Sequence, residues 1–180
     1  MKILFLVHQF YPDHYTGTEK FLLGLAKSCQ RLGHKVKVVT YSFRPDSFFD
    51  RQIGSILLKE STYQKIPIIY LKYLKYQIPS ADLDFELEQS ELAKVAEQVL
   101  VDEKPDLLHA AHTMRLTGFV SEARKLGIPY VITLTDFFLI CPKNNLITSV
   151  KSLCAGPEGG DACRQLCQEL PNKAVKARLV

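Results

Sequence analysis

Apolar residues open the chain as one continuous run and then recur at helical spacing. Residues 2–7, KILFLV, have the uninterrupted apolar pattern of a strand buried on both faces of a parallel sheet. The stretch from Glu19 to Leu32 has the pattern of a helix, with Thr18 as its predicted N-cap and Gly33 as its C-terminal glycine. The apolar positions of this helix are Leu22, Leu25, Ala26, Cys29 and Leu32. Residues 35–41, KVKVVTY, predict a second strand, so the chain begins as a β-α-β unit.

The rest of the chain continues this alternation after one irregular stretch. Within residues 44–82, which contain three prolines, the apolar runs Ile56–Leu58 and Ile66–Leu71 are candidate strands. The elements predicted next are a helix over 83–101, a short strand within 104–112, a helix over 114–126 and a buried strand over 128–135. This order predicts an α/β fold, a Rossmann-like, doubly wound, mostly parallel sheet with helices on both faces. Ligands of such sheets bind at the carboxyl ends of the strands.

Length, composition and charge narrow the class of protein. A chain of 180 residues that is 47% hydrophobic fits one compact globular domain. A net charge of only +4 argues against a dedicated nucleic-acid binder. The apolar run before His8 is too short for a signal peptide, and no run approaches the roughly 20 apolar residues that span a bilayer. We therefore expect a cytoplasmic protein whose five cysteines are free, metal-binding or catalytic.

One segment has the residue types of a membrane-facing surface. Between Tyr63 and Tyr76, tyrosines alternate with Lys65, Lys72 and Lys75, which would suit peripheral contact with the inner face of a membrane. A sheet strand followed by a solvated loop explains the same residues and is the favoured interpretation.

Polar and titratable residues gather in the loops that follow the predicted strands. The first loop runs from His8 to Glu19, the next clear one holds His109 and His112, and Thr135 begins the last. The first loop has a lone Gly17 instead of G-x-G-x-x-G, and no acidic residue ends the second strand, which disfavours a nicotinamide cofactor. Gly17 would let phosphate or sugar oxygens approach the helix N-terminus, although an ordinary turn glycine has the same pattern.

The histidines after the strands have several interpretations. His109 and His112 have a spacing that metal sites use, but they flank a strand end and no nearby carboxylate completes a ligand set. A hydrogen bond to a polyol substrate and a purely structural role are both favoured over metal binding. His8 either contacts a ligand or closes its loop.

Four of the five cysteines fall close together, in a C-terminal excursion over 141–167. Cys141, Cys154, Cys163 and Cys167 are spaced C-x12-C-x8-C-x3-C, with glycines between them. Four thiolates on glycine-rich loops can surround one zinc ion and so replace a core that this excursion is too short to build. The spacing predicts a structural metal, zinc before an iron–sulfur cluster, with a disulfide pair or unrelated thiols as alternatives.

Five segments follow one another in a specific order: KILFLVHQFYP, TGTEKFLLGLAKSCQRLGHKVKVVT, KPDLLHAAH, GIPYVITLTDFFLICPKNNL and LCAGPEGGDACRQLC. Together they resemble the N-terminal, acceptor-side domain of a family 4 glycosyltransferase with the GT-B architecture. The likeness covers most of the chain and is weak only over residues 44–82.

The resemblance implies two Rossmann-like domains with a cleft between them. The N-terminal domain would hold the acceptor and the C-terminal domain the nucleotide-sugar donor, and transfer would proceed with retention and without a metal for catalysis. Gly17 would lie near the donor phosphates and the acceptor, and the histidines would line the cleft. The substrate-binding residues expected on this basis are His8, Gly17, Thr18, Glu19, His109, His112 and Thr135.

Two departures from the family pattern affect these expectations. Many relatives have a histidine before the aspartate after the fifth strand, whereas this chain has Thr135 followed by Asp136, so Asp136 becomes the expected catalytic contact. The donor domain, with its pair of spaced glutamates, is absent from the 180 residues, so the chain is expected not to transfer sugar by itself.

The leading hypothesis is therefore the acceptor-side domain of a glycosyltransferase. Its partners would be a nucleotide-sugar donor and a polysaccharide, glycan or lipid-linked acceptor. A non-catalytic binding or scaffold module with a zinc-held docking surface is the alternative. A nucleotide-dependent oxidoreductase comes third, because the glycine fingerprint of such enzymes is missing.

Overall fold

A computed structural model describes residues 1–74, 89–141, 143–156 and 161–167. These residues divide into two compact units, one holding 1–74 and 89–135 and the other holding the described residues from Asp136 onward. The first unit contains a sheet with its helices, and the second contains the cysteine-rich stretch.

Strand β1, Lys2–Val7, lies inside the sheet between two parallel partners. It pairs with β2, Lys35–Tyr41, on one side and with β6, Leu107–Ala110, on the other. Five of its six residues are buried, as expected of an apolar strand covered on both faces. Because the three strands are parallel, their carboxyl ends meet at one edge of the sheet.

The sheet has seven strands in the described residues, in the order β3-β4-β5-β2-β1-β6-β7. The outer strands are β3 (Arg51–Ile53), β4 (Ile56–Tyr63), β5 (Ile66–Tyr73) and β7 (Tyr130–Ile132). The five strands from β5 to β7 in this order are parallel, and β3 and β4 are antiparallel to their neighbours. The predicted Rossmann-like, mostly parallel sheet is confirmed.

The irregular stretch after β2 contains an antiparallel hairpin that the sequence only partly predicts. The candidate strands Ile56–Leu58 and Ile66–Leu71 are the apolar parts of β4 and β5, which both extend further. Gln64 and Lys65 connect them with φ values of 47° and 69°, the left-handed conformation of a two-residue hairpin turn. Neither residue is a typical turn residue, so the sequence contains no hairpin signal at this position. A 3-10 turn over Asp46–Phe48 precedes β3.

Helix α1, Gly17–Arg31, covers one face of the sheet. Its buried apolar residues share a core with alternate positions of β1 and β2, including Ile3, Phe5, Val7, Leu22, Leu23, Ala26, Val36 and Val38. The helix begins two residues before Glu19, and its N-cap is Thr16 rather than the predicted Thr18. Thr16 stands three residues before a glutamate, the T-x-x-E spacing typical of a helix start. Gly33, with φ of 83°, follows the helix as predicted.

Helices α2, Gln89–Glu103, and α3, Thr117–Lys125, pack against each other. Connections between parallel strands are right-handed in nearly all proteins, and for this strand order that rule places α2 and α3 on the face opposite α1. Helices therefore cover both faces, as predicted. Residues 83–88, where the sequence predicts the start of α2, lie outside the described residues.

Strand β7 differs from the predicted buried strand over 128–135. Its residues Tyr130, Val131 and Ile132 are 43%, 47% and 38% exposed. Among the described strands only β6 pairs with it, so β7 lies at the edge of the sheet and both of its faces retain solvent access. The apolar run predicted the strand correctly, but burial depends on the order of strands, which the run does not encode.

The second unit contains a small hairpin and a short helix. Ile147 and Leu153 form an isolated antiparallel bridge, and the backbone N–H of Thr148 donates to the carbonyl of Ser152 at 2.9 Å. Helix α4, Asp161–Leu166, follows the hairpin. The predicted excursion therefore contains regular structure of its own.

Gly118→Ala should destabilise the contact between α2 and α3. The added Cβ would lie 2.9 Å from Cγ and 3.0 Å from Cδ2 of Leu92, so the packed leucine would have to shift. We expect the free energy of unfolding, measured by urea denaturation, to fall by about 1–3 kcal/mol.

The matched control is Gly24→Ala on α1, where an added Cβ meets nothing within 4 Å. This variant should be neutral or stabilised, because alanine favours a helix more than glycine does. An equal loss of stability in both variants would contradict close packing at Gly118.

Candidate functional site

Two backbone hydrogen bonds hold the chain after β6 against the end of β1. The carbonyl oxygen of Leu6 accepts hydrogen bonds from the N–H groups of Ala111, at 2.9 Å, and His112, at 3.4 Å. His112 therefore lies beside His8, the first residue after β1. Their ring centroids are 4.1 Å apart, with 42° between the ring planes. The parallel pairing of β1 with β6 thus brings together two histidines that are distant in the sequence.

The carboxyl group of Glu19 lies next to the ring of His8 and is fully buried. The hydroxyl of Thr16 donates a hydrogen bond to its Oε2. Its Oε1 lies 3.8 Å from Nε2 of His8 and has no hydrogen-bond partner in the described part of the chain, and neither has Nδ1 of His8. Nearly all buried polar atoms in proteins are hydrogen-bonded. Two such atoms on neighbouring side chains therefore mark a place where a polar ligand can bind.

Burial sets the protonation of His8. Burial, the largest cause, and the neighbouring His112, Arg115 and His14 together lower the pKa of His8 to about 3. His8 is therefore neutral at physiological pH, and its approach to Glu19 is not an ion pair. The backbone N–H of Met114 donates to Nδ1 of His112 at 3.2 Å, so a neutral His112 carries its proton on Nε2. Neutral imidazoles can both donate and accept hydrogen bonds.

Sequence reasoning missed Arg115, which lies at the same edge. It is 6% exposed, and its guanidinium carbon lies 5.2 Å from the ring centroid of Tyr41 and 5.0 Å from that of Phe43. Its φ of 63° is unusual for a residue other than glycine, and the hydroxyl of Tyr73 donates to its carbonyl oxygen. A lone arginine in the uncharged stretch after β6 was the available signal.

Aromatic side chains flank the loop after β1. Tyr11 stacks on Tyr63, with centroids 4.9 Å apart and planes 14° apart, and on Tyr15 at 6.4 Å. Tyr15 is 62% exposed and Phe43 is 53% exposed. Exposed rings next to buried polar groups give the mixture of apolar and polar contacts that small-ligand sites use.

Two other predicted residues serve local contacts. His109, on β6, hydrogen-bonds through Nε2 to the hydroxyl of Thr133 at 2.7 Å, and burial lowers its pKa. Its ring lies 5.4 Å from that of Phe5 on the neighbouring strand. The hydroxyl of Thr135 donates to the carbonyl of Ala111 at 3.1 Å. The structure therefore brings together His8, Glu19 and His112, while His109 takes a different set of neighbours.

The substrate or catalytic roles expected for Gly17, Thr18 and Asp136 stay predictions. Gly17 begins α1, and a Cβ added to it would meet nothing within 4 Å. Thr18 is half-buried in the first turn of this helix. Asp136 belongs to the second unit, where its Oδ1 accepts a hydrogen bond from the N–H of Phe138 at 2.8 Å.

Three further features of the described residues concern metal binding, cavities and membrane crossing. In these ranges no three His, Cys, Asp or Glu side chains form a group that could hold a metal ion as they stand, so the zinc site stays a prediction. A cavity of about 230 Å³ lies between the β3-β4 hairpin and α2, away from His8 and its neighbours. None of the described helices has both the length and the apolar character needed to cross a membrane.

Sequence comparison identifies a family over most of the chain. The profile of the family described as "Glycosyl transferase 4-like domain" matches residues 16–165. An uncharacterized 42.6 kDa protein in the cps region of Klebsiella pneumoniae is 26% identical over 170 residues, which cover 85% of this chain and 43% of that protein. The chain thus spans less than half the length of this relative.

Comparison of structures gives a weaker likeness. The catalytic domain of starch synthase IV from Arabidopsis thaliana, bound to ADP and acarbose, matches with a TM-score of 0.49 and 15% sequence identity. The match covers 72% of this chain and 32% of that one. A likeness at this level does not bear on substrate or mechanism.

Acidification should destabilise the protein through His8. Its pKa is about 3 in the folded chain, whereas an unfolded histidine has a pKa of about 6.5. Between these values the unfolded state binds a proton that the folded state does not. The free energy of unfolding should therefore fall as the pH drops from about 6.5 toward 3, by up to about 1.4 kcal/mol per pH unit from this residue.

Urea denaturation of the wild type and of His8→Gln at about pH 8, 6 and 5 measures this effect. Glutamine has no proton to gain, so the stability of the variant should depend less on pH. The values at pH 8, where both side chains are neutral, give the baseline. Parallel pH profiles for the two proteins would contradict a buried neutral His8.

Proposed function

The chain belongs to the glycosyl transferase 4-like family, and on this basis we propose that it is the N-terminal, acceptor-side domain of a retaining glycosyltransferase. The sugar comes from a nucleotide-sugar donor and passes to a polysaccharide, glycan or lipid-linked acceptor. The observation that carries the proposal is the buried Glu19 carboxyl beside His8 and His112. This cluster lies at the carboxyl edge of a parallel sheet, where ligands of such folds bind.

The chemistry of the cluster suits a polyol. Oε1 of Glu19 can accept a hydrogen bond from an acceptor hydroxyl, the neutral ring of His8 can donate one hydrogen bond and accept another, and Nε2 of His112 can donate one. A buried polar atom that gains its partner only from the ligand discriminates strongly for that ligand. In this proposal Glu19, His8 and His112 bind the acceptor, and Gly17, Thr18, His109 and Thr135 belong to the wider substrate site.

The proposal also covers the binding of the sugar donor and the residue that acts in catalysis. In line with the resemblance, the nucleotide-sugar binds mainly to a second domain, and the chain spans 43% of its relative from Klebsiella pneumoniae. The position of that relative in a cps region favours a polysaccharide acceptor. Asp136 is the proposed catalytic contact, and no metal is required for transfer. A lipid-linked acceptor would bring the protein to the inner face of the membrane.

Glu19→Gln should reduce sugar transfer by about 10²-fold, because the hydroxyl of Thr16 occupies one carboxyl oxygen and the amide has a single accepting oxygen where the carboxylate has two. The assay uses the protein encoded by the whole native reading frame, a panel of nucleotide-sugars and a polysaccharide or lipid-linked oligosaccharide fraction. Release of nucleoside diphosphate is measured with and without acceptor. Glu97→Gln, at an exposed position of α2, is the matched control and should keep wild-type activity.

The stereochemistry of the product gives a second readout. Nuclear magnetic resonance of the new glycosidic bond should show the same anomeric configuration as in the donor, and the 180-residue chain alone should give no product. Absence of acceptor-dependent release with every donor would overturn the proposed function. Unchanged activity in a folded Glu19→Gln variant would overturn only the role of the cluster and would leave the proposed function in place.

A further inference from the structure

Three tyrosine rings form a stack beside the loop after β1. Tyr11 stacks on Tyr63, with ring centroids 4.9 Å apart and 14° between the planes. It also stacks on Tyr15, with centroids 6.4 Å apart and 30° between the planes. Tyr11 and Tyr63 are partly buried against the core under α1, whereas Tyr15 is 62% exposed. The tyrosine stack, Tyr11, Tyr15 and Tyr63, therefore ends in a ring that is open to solvent.

Contacts from two neighbouring strands hold the backbone of this loop. The hydroxyl of Tyr70, on β5, donates a hydrogen bond to the carbonyl oxygen of Tyr11 at 2.7 Å. The guanidinium of Arg44, which follows β2, donates from Nε and Nη2 to the two carboxylate oxygens of Asp13, at 2.7 and 2.8 Å. A bidentate pair of this kind fixes orientation as well as distance. Tyr15 is thus carried by a loop that is held in place before any ligand binds, which lowers the entropy lost on binding.

The tyrosine stack lies next to the buried carboxyl group of Glu19. The residue after Tyr15 is Thr16, whose hydroxyl donates to Oε2 of Glu19. Burial, Tyr63 and the negative charge of Glu19 also raise the pKa of Tyr11, which agrees with a short distance between the stack and this carboxylate. A ligand that binds at Glu19 and is larger than one sugar can therefore reach the exposed ring.

Resting on the proposed function, we propose that the ring of Tyr15 stacks against a sugar ring of the acceptor, one unit along from the sugar that binds Glu19. The acceptor is then a glycan rather than a single sugar. A pyranose carries C–H groups on its faces and hydroxyl groups around its edge. The face of an aromatic ring is negatively polarised and attracts those C–H groups, while the hydroxyl groups stay free to bind polar side chains.

A glycan fits this surface better than a lipid bilayer. Interfacial membrane anchors combine aromatic rings with basic side chains that attract anionic headgroups. Here the positive charge of Arg44 is paired with Asp13, and the stack borders the carboxyl group of Glu19. Carboxylates accept hydrogen bonds from hydroxyl groups and repel anionic lipids. The chemistry around the exposed ring therefore favours a polyol.

Binding of sugars to the native-length protein, measured without donor by ligand-observed nuclear magnetic resonance, tests the role of Tyr15. The probes are monosaccharides and short oligosaccharides, released by partial acid hydrolysis of the source cell's own polysaccharide and separated by size. Tyr15→Ala should weaken the binding of the oligosaccharides by about tenfold, because the stacking ring is removed. It should leave the binding of monosaccharides unchanged, because these occupy only the part of the site at Glu19.

Two variants serve as controls, and kinetics give a second readout. Tyr15→Phe keeps the ring and should bind the oligosaccharides like the wild type. Tyr130→Ala removes a tyrosine that is 43% exposed at the amino end of β7, away from the loops that follow the strands, and should also bind them like the wild type. In the transfer assay Tyr15→Ala should raise the KM for oligosaccharide acceptors by about tenfold and leave kcat unchanged, because the ring contacts the acceptor equally in the ground state and the transition state.

The outcomes separate the stacking role from the proposed function. Equal affinity of the wild type and Tyr15→Ala for the oligosaccharides would overturn the stacking role, as would an equal loss for monosaccharides or a wild type that binds none of the probes. Binding to vesicles of anionic phospholipid that depends on Tyr15, without any difference for oligosaccharides, would assign the ring to a membrane and overturn it too. Binding of oligosaccharides through Tyr15 without transfer from any donor would support the stacking role and overturn only the proposed function.

Discussion

The parallel pairing of β1 with a neighbour on each side is the constraint on which the rest of the first unit depends. Because β2 and β6 run in the same direction as β1, the loops that follow these strands emerge at one edge of the sheet. The carbonyl of Leu6 then accepts hydrogen bonds from the chain after β6, and this fixes His112 beside His8. The site is therefore a consequence of strand direction and register before any ligand is considered.

The polar cluster at this edge costs stability that the apolar core offsets. A buried oxygen of Glu19 without a hydrogen bond costs on the order of 1–3 kcal/mol. The left-handed backbone at Arg115 adds a further cost of about 1–3 kcal/mol. Strain and unsatisfied polar groups concentrate at functional sites, where a ligand supplies the missing contacts. This energetic argument is independent of the family assignment and leads to the same edge of the sheet.

The sequence predicts the central strands well because burial on both faces leaves a continuous apolar run, as in β1. It misses the hairpin between β4 and β5, because Gln64 and Lys65 adopt left-handed conformations without the usual turn residues. The sequence also does not show that His109 and His112 have different roles. His109 still belongs to β6 and bonds to Thr133, whereas His112 lies past the end of the strand, and only the strand boundary distinguishes them. Arg115 escapes prediction because it contacts Tyr41, at the end of β2, and Phe43, just after it, which are both far away in the sequence.

The central claim is that His8, Glu19 and His112 form one binding surface for the sugar acceptor. Histidine-selective isotope labelling of the native-length protein, followed by nuclear magnetic resonance during addition of the oligosaccharide acceptor, tests it most directly. The account predicts that the ring signals of His8 and His112 shift together and saturate, while that of His34, which follows α1 at the other end of the helix, stays in place. Signals of His8 and His112 that do not move while the acceptor is being glycosylated would contradict it.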